Sequence, residues 1–90
     1  MPVAITSQRV TVLQELFEPK TVRELTSLGV LSATKVVSDL RRMGFGIVGE
    51  WVNRVYEDGE THRVILYHYL PTLNELNERG KALLRALRGI

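Results

Sequence analysis

Ninety residues, 44% of them hydrophobic and 24% charged, have the length of one small domain and an ordinary globular composition, which excludes a disordered or fibrous chain. The absence of cysteine removes disulfide frameworks, thiolate metal sites and cysteine nucleophiles, and two histidines make no convincing metal set, so no metal and no cofactor are expected. Twelve Lys+Arg against ten Asp+Glu leave a net charge of +2, yet nine of the twelve cations are arginine, whose planar fork of donors suits phosphates and base edges.

The longest uncharged apolar stretch is Val64–Leu70, and it carries His68. A membrane span needs about 20 such residues. Met1-Pro2-Val3-Ala4-Ile5 lacks the basic and apolar regions of a secretory leader. The expectation is a cytoplasmic chain with no membrane contact.

Thr6-Ser7 offers a helix cap ahead of Val10, Leu13, Leu16 and Phe17, an apolar stripe at helical spacing, and Pro19 stops it. A first helix is predicted over about Ser7–Glu18. Thr21-Val22-Arg23-Glu24 has the form of a capping box, in which the Thr21 hydroxyl and the Glu24 carboxylate each satisfy the other's backbone amide. A short second helix follows over about Thr21–Leu28, closed by Gly29 in a left-handed conformation. Ser32 is expected to cap a third helix over about Ser32–Met43, which buries Ala33, Val37 and Leu40 and ends at Gly44.

The period then changes. Phe45–Tyr56 and Thr61–Leu70 are rich in Val, Ile, Tyr and Trp and read as strands. Asp58-Gly59 between them is a strong signal for a two-residue hairpin loop. That register places Tyr56 opposite Thr61, Arg54 opposite Arg63 and Val52 opposite Ile65. One face would then carry Ile47, Trp51, Val55, Val64, Leu66 and Leu70. Tyr56, Tyr67, Tyr69 and the two arginines would share the other, either as an exposed partner surface or covered by a helix. Pro71 ends the second strand, and Thr72-Leu73-Asn74-Glu75 suggests another capping box opening a fourth helix over about Thr72–Arg88. Gly80 inside it points to a bend or close packing.

The order is helix, helix, tight turn, helix, long hairpin, helix: an α+β fold, mainly α. Three residues, Gly29-Val30-Leu31, join the second and third helices, the connection length of a helix-turn-helix motif. With the hairpin directly after the third helix, the chain resembles the winged helix-turn-helix family over about residues 7–70. It is most similar to small phage- and prophage-borne members, through the stretch Val37-Ser38-Asp39-Leu40-Arg41-Arg42-Met43-Gly44-Phe45-Gly46-Ile47 and the Gly-containing wing turn. The resemblance implies that the third helix reads double-stranded DNA and that the wing contacts phosphates or the minor groove.

Projected at 100° per residue, the outward side of the third helix holds Thr34, Lys35, Ser38, Asp39, Arg41 and Arg42. Lys35 and Arg42 point most directly away from the core. The arginines can take a phosphate or a guanine edge, Lys35 the same less rigidly, and Thr34 and Ser38 suit phosphate or base contacts. Asp39 could accept from a cytosine amine or pair with Lys35. Thr21, with Lys20 and Arg23 nearby, is a candidate phosphate anchor as well as a cap. Arg54 and Arg63, facing each other across the strands, make good sense with an anion between them. The tip Glu57-Asp58-Gly59-Glu60 is acidic and is not expected to insert into DNA. His62 adjoins the arginines and would add to anion binding when protonated, though a lone histidine near a turn is more often simply exposed. His68 reads as structural, and Trp51 as a packing residue rather than a base-stacking one.

The expected function is therefore sequence-specific binding of double-stranded DNA by a small transcriptional regulator of viral or prophage type. A dimer through the fourth helix is favoured over a monomer. The alternative is a winged-helix module that binds protein as a replication or assembly adaptor, supported by the low net charge, the acidic tip and the Tyr-rich strand face. No carboxylate pair, nucleophile–base pair, phosphate loop or small-molecule pocket is legible, so an enzyme is not expected.

Overall fold

The computed structural model of the chain describes residues 5–88. The reading of the Met1–Ala4 segment falls outside these residues. Among them the fold is α+β, with four α-helices and a three-stranded antiparallel sheet. The elements run α1 (Ile5–Glu15), β1 (Lys20–Thr21), α2 (Val22–Ser27), α3 (Ala33–Arg42), β2 (Ile47–Val55), β3 (Thr61–Tyr69), a 3-10 turn (Pro71–Leu73) and α4 (Glu78–Arg88). The sheet order is β1-β3-β2, so the two-residue strand β1, which no periodicity announced, pairs with the returning strand of the hairpin.

α1 runs from Ile5, so Thr6 and Ser7 lie within it rather than ahead of it, and it ends at Glu15, ahead of the predicted limit. Its stripe is buried as expected at Val10, Leu13 and Leu16, joined by Val12, whereas Phe17 is exposed and meets the Tyr69 ring edge-on at 5.3 Å. The capping box of α2 forms in full: the Glu24 amide donates to the Thr21 hydroxyl at 3.2 Å, and the Thr21 amide donates to the Glu24 carboxylate at 3.1 Å. Ser32 behaves otherwise. Side-chain capping needs an extended backbone, but Ser32 is left-handed (φ 52°, ψ 49°), and its hydroxyl makes no capping bond to α3.

Val36, Val37 and Leu40 of α3 pack with Leu13, Leu16 and Leu25 from the first two helices and with Phe45, Ile47, Tyr67 and Tyr69 from the sheet side. Tyr67 and Tyr69 are thus core residues, not an exposed stripe.

The hairpin register differs from the expected one by a residue. A two-residue type I′ loop needs positive φ at both central positions. Only Gly59 adopts it (φ 77°), while Asp58 does not. The loop therefore takes three residues, Glu57-Asp58-Gly59: the Gly59 amide donates to the Tyr56 carbonyl at 2.9 Å and the Tyr56 amide to the Glu60 carbonyl at 3.1 Å. Asn53 now faces Arg63, Arg54 faces His62, Trp51 faces Ile65 and Val52 faces Val64. Since side chains alternate along a strand, this slip changes which residues share a face. Ile47, Gly49, Trp51, Asn53 and Val55 lie with Tyr69, Tyr67, Ile65, Arg63 and Thr61, and this is the face whose base enters the core.

The capping box predicted at Thr72–Glu75 does not form, and α4 begins six residues later. The Asn74–Asn77 segment is held out of a helix by bonds to the end of α3. The Gly46 amide donates to Asn74 Oδ1 at 2.8 Å, and the Glu75 amide to the Gly44 carbonyl at 2.7 Å. The Asn77 amide donates to the Met43 carbonyl at 3.0 Å. Asn77 is the true cap, accepting from the Gly80 amide at 2.9 Å. Gly80 is there for close packing: a Cβ at that position would stand 2.5 Å from the Met43 carbonyl oxygen.

Candidate nucleic-acid interface

The buried side of α3 fixes what it exposes. Thr34, Lys35, Ser38, Arg41 and Arg42 all face solvent, with Arg42 near the middle of the exposed face and its side chain 81% exposed. Asp39 sits at the margin, half-buried, and pairs with neither Lys35 nor open solvent. Its carboxylate meets Arg9 Nη2 of α1 at 3.4 Å and Arg42 Nη1 at 3.6 Å.

On the hairpin side of α3, Thr34 lines a cleft with Thr21, Arg23, Trp51, Tyr56 and Arg63. The Arg63 guanidinium lies over the Trp51 ring, 5.0 Å from its centre, and Trp51 is 57% exposed rather than buried in the core. Arg54 stands on the other face of the hairpin. It lines a neighbouring cleft with Thr21, Arg23, Glu24 and Ser27. The expected pairing of Arg54 with Arg63 around one anion is therefore corrected: the one-residue shift in register places the strand between them. What joins the two clefts is the start of α2. Arg23 borders both, with its guanidinium 4.2 Å from the centre of the Tyr56 ring.

Two other predicted residues are occupied internally. The Lys20 ammonium lies 3.7 Å from Glu15 and 3.6 Å from Glu18, with its side chain only 16% exposed. The Thr21 hydroxyl both accepts from the Glu24 amide and donates to the Glu24 carboxylate, which uses its donor. Neither side chain is turned out beside Arg23.

The wing tip is self-contained. The Glu60 amide donates to Asp58 at 2.8 Å, and His62 Nε2 lies 3.2 Å from the same carboxylate. These two bonds hold the Asp58 carboxyl below the usual carboxylate range, the backbone amide contributing most. His62 thus contacts an acid and the Tyr56 ring (centroids 4.8 Å apart), with Arg54 as its cross-strand neighbour and Arg63 on the other face. His68 donates to the Phe17 carbonyl at 3.2 Å, a structural contact tying β3 to the end of α1.

On the opposite flank of α3 the structure brings Asp39 and Arg42 of the predicted outward face together with residues that no local pattern places beside them. Arg9, Asp39, Arg42, Met43, Asn77 and Arg79 line a small cleft between α1, the end of α3 and the start of α4. Arg9 lies in the predicted first helix but off its apolar stripe, and the packing that brings Arg79 near it depends on the Asn77 cap.

Among the described residues no helix is long and apolar enough to cross a membrane, and no three His, Asp or Glu side chains cluster as a metal site. No protein-family model matches the chain, and no curated protein matches its sequence.

Proposed function

We propose that this chain is a winged helix-turn-helix protein that binds double-stranded DNA sequence-specifically, with α3 in the major groove, as a small transcriptional regulator. The order α1-β1-α2-α3-β2-β3 with sheet order β1-β3-β2 supports the winged reading, because the long hairpin follows α3 directly and closes on the strand before α2. One observation carries the DNA reading: α3 turns Thr34, Lys35, Ser38, Arg41 and Arg42 outward together, beside a cleft that holds Arg23 and Arg63. A helix about 10–12 Å across fits a groove about 12 Å wide. Arg42 and Lys35 would then meet base edges, with Ser38, Thr34 and Arg41 alongside. Arg63, Arg23 and Arg54 would meet phosphates. A viral or prophage origin rests on the sequence resemblance through residues 37–47 and the Gly-containing wing turn.

Two chains pairing through α4 would set two copies of α3 about 34 Å apart, one turn of DNA. The leucines of α4 give this limited support: Leu83 is buried in the chain's own core and Leu84 and Leu87 pack against it. A protein-binding module is favoured by one observation, the exposure of Trp51 (57%) and Val55 (70%) on β2, the longer of the sheet's two edge strands.

Selection of bound fragments from random duplex DNA tests the proposal. Enrichment of one sequence, and a loss of about 1–3 kcal/mol on that sequence in Arg42→Ala, is the expected result. A chain that enriches nothing, or an Arg42→Ala variant that binds as the parent does, contradicts it.

A further inference from the structure

We propose that the cleft between α1, α3 and α4 is a second backbone-phosphate site, in which Arg79 and Arg9 take the phosphate row on the side of the groove away from the wing, next to the base-reading Arg42. The inference rests on the DNA reading above and extends it to residues outside the motif.

The geometry of α3 calls for two anionic contacts. A helix that fills the major groove has a phosphate row along each of its edges. On the wing edge, Thr34 opens onto the cleft with Arg23 and Arg63. The other edge is marked by Asp39, where three arginines and this one carboxylate line the small cleft and two of the arginines, Arg9 and Arg42, reach it.

That carboxylate does not satisfy them. Charge-assisted N–H···O bonds run about 2.7–2.9 Å and arginine pairs are often two-pronged. Asp39 reaches Arg9 by one oxygen at 3.4 Å and Arg42 by the other at 3.6 Å, a single long contact to each. Arg9 Nε is buried with no hydrogen-bond partner, in a side chain only 18% exposed. Arg79, exposed at the mouth, makes no ion pair among the described residues. Three cations and one anion leave the cleft with a local charge of +2 and unfilled donors. Asp39 keeps Arg9 and Arg42 aimed across the cleft, and Arg79 at its rim is the side chain freest to meet an incoming phosphate.

Arg79 is also the residue to test, because its exposure makes its loss harmless to packing. Binding of one duplex would be measured across a range of salt for the parent, Arg79→Ala and Arg85→Ala. Arg85 carries the same charge on the same helix but lines a different surface, with Lys81, Leu84 and Arg88. The expected result is that Arg79→Ala weakens binding to selected and unrelated duplexes alike and lowers the magnitude of the log–log salt slope by about one, while Arg85→Ala keeps the parental slope. A parental slope in Arg79→Ala overturns the second site and leaves the DNA reading standing. Equal loss in both variants also overturns it, since a general cationic field would then explain the effect. Failure of the parent to bind duplex at low salt overturns both.

Discussion

The guanidinium of Arg63 lies 5.0 Å from the centre of the Trp51 ring. Trp51 is the chain's only tryptophan, so its emission reports on the cleft between the hairpin and α3. Adding duplex should change that emission in the parent. Arg63→Ala should weaken binding to all sequences similarly and flatten the salt slope by about one contact. A fluorescence titration that shows no change on binding would place the DNA elsewhere.

Gly44 should be the most sensitive glycine. It adopts φ 95°, and its carbonyl accepts from the Glu75 amide at 2.7 Å, so a side chain would run into the Glu75 backbone. Gly29 has a similar φ of 92° with open space around it. Gly29→Ala should cost about 1–2 kcal/mol, the ordinary expense of the left-handed conformation. Gly44→Ala should cost clearly more, because the Asn74–Asn77 segment must also move. Urea denaturation of the two variants makes the comparison, and equal losses would contradict the packing described.

Asn74 joins three elements. Its Oδ1 accepts from the Gly46 amide at 2.8 Å, and its Nδ2 donates to the Tyr69 hydroxyl at 2.7 Å. Tyr69 is 2% exposed, so its hydroxyl has little water to turn to. Asn74→Ala should destabilise by about 1–3 kcal/mol. Asn77→Ala removes the α4 cap and should cost about 1 kcal/mol. Thermal or urea unfolding distinguishes them.

The wing tip should loosen in acid. The Asp58 carboxyl sits below its usual range because the Glu60 amide and His62 bond its charged form. A lowered folded value means that this group supports the turn above the unfolded value of about 3.9 and that the support fades as pH falls through the lower folded value. Carboxyl NMR titration should show Asp58 protonating below the usual aspartate range, with the Glu60 amide signal moving in step. An Asp58 midpoint at or above 3.9 would contradict the geometry.

The helices and the order of the elements were legible because local chemistry sets them: the Thr21–Glu24 box and Gly29 behave as their residue types dictate. Failures came where tertiary contacts outbid a local signal. Asp58-Gly59 reads as a two-residue turn, but Asp58 keeps negative φ and the loop takes a third residue. Thr72-x-x-Glu75 reads as a cap, yet Thr72 lies in a 3-10 turn and bonds to Gly44 and Gly46 keep Asn74 and Glu75 out of a helix. The exposed face of α3 followed from its periodicity. The cleft with Arg9 and Arg79 did not, since it joins residues 70 positions apart through packing that no local pattern encodes.

The salt dependence of duplex binding tests the central claim most directly. With about 6 phosphates neutralised across the two edges of α3, log affinity should fall linearly with log salt at a slope near −5. A flat dependence, or no retention of duplex at about 50 mM salt, would contradict a groove-bound α3 and favour a protein partner.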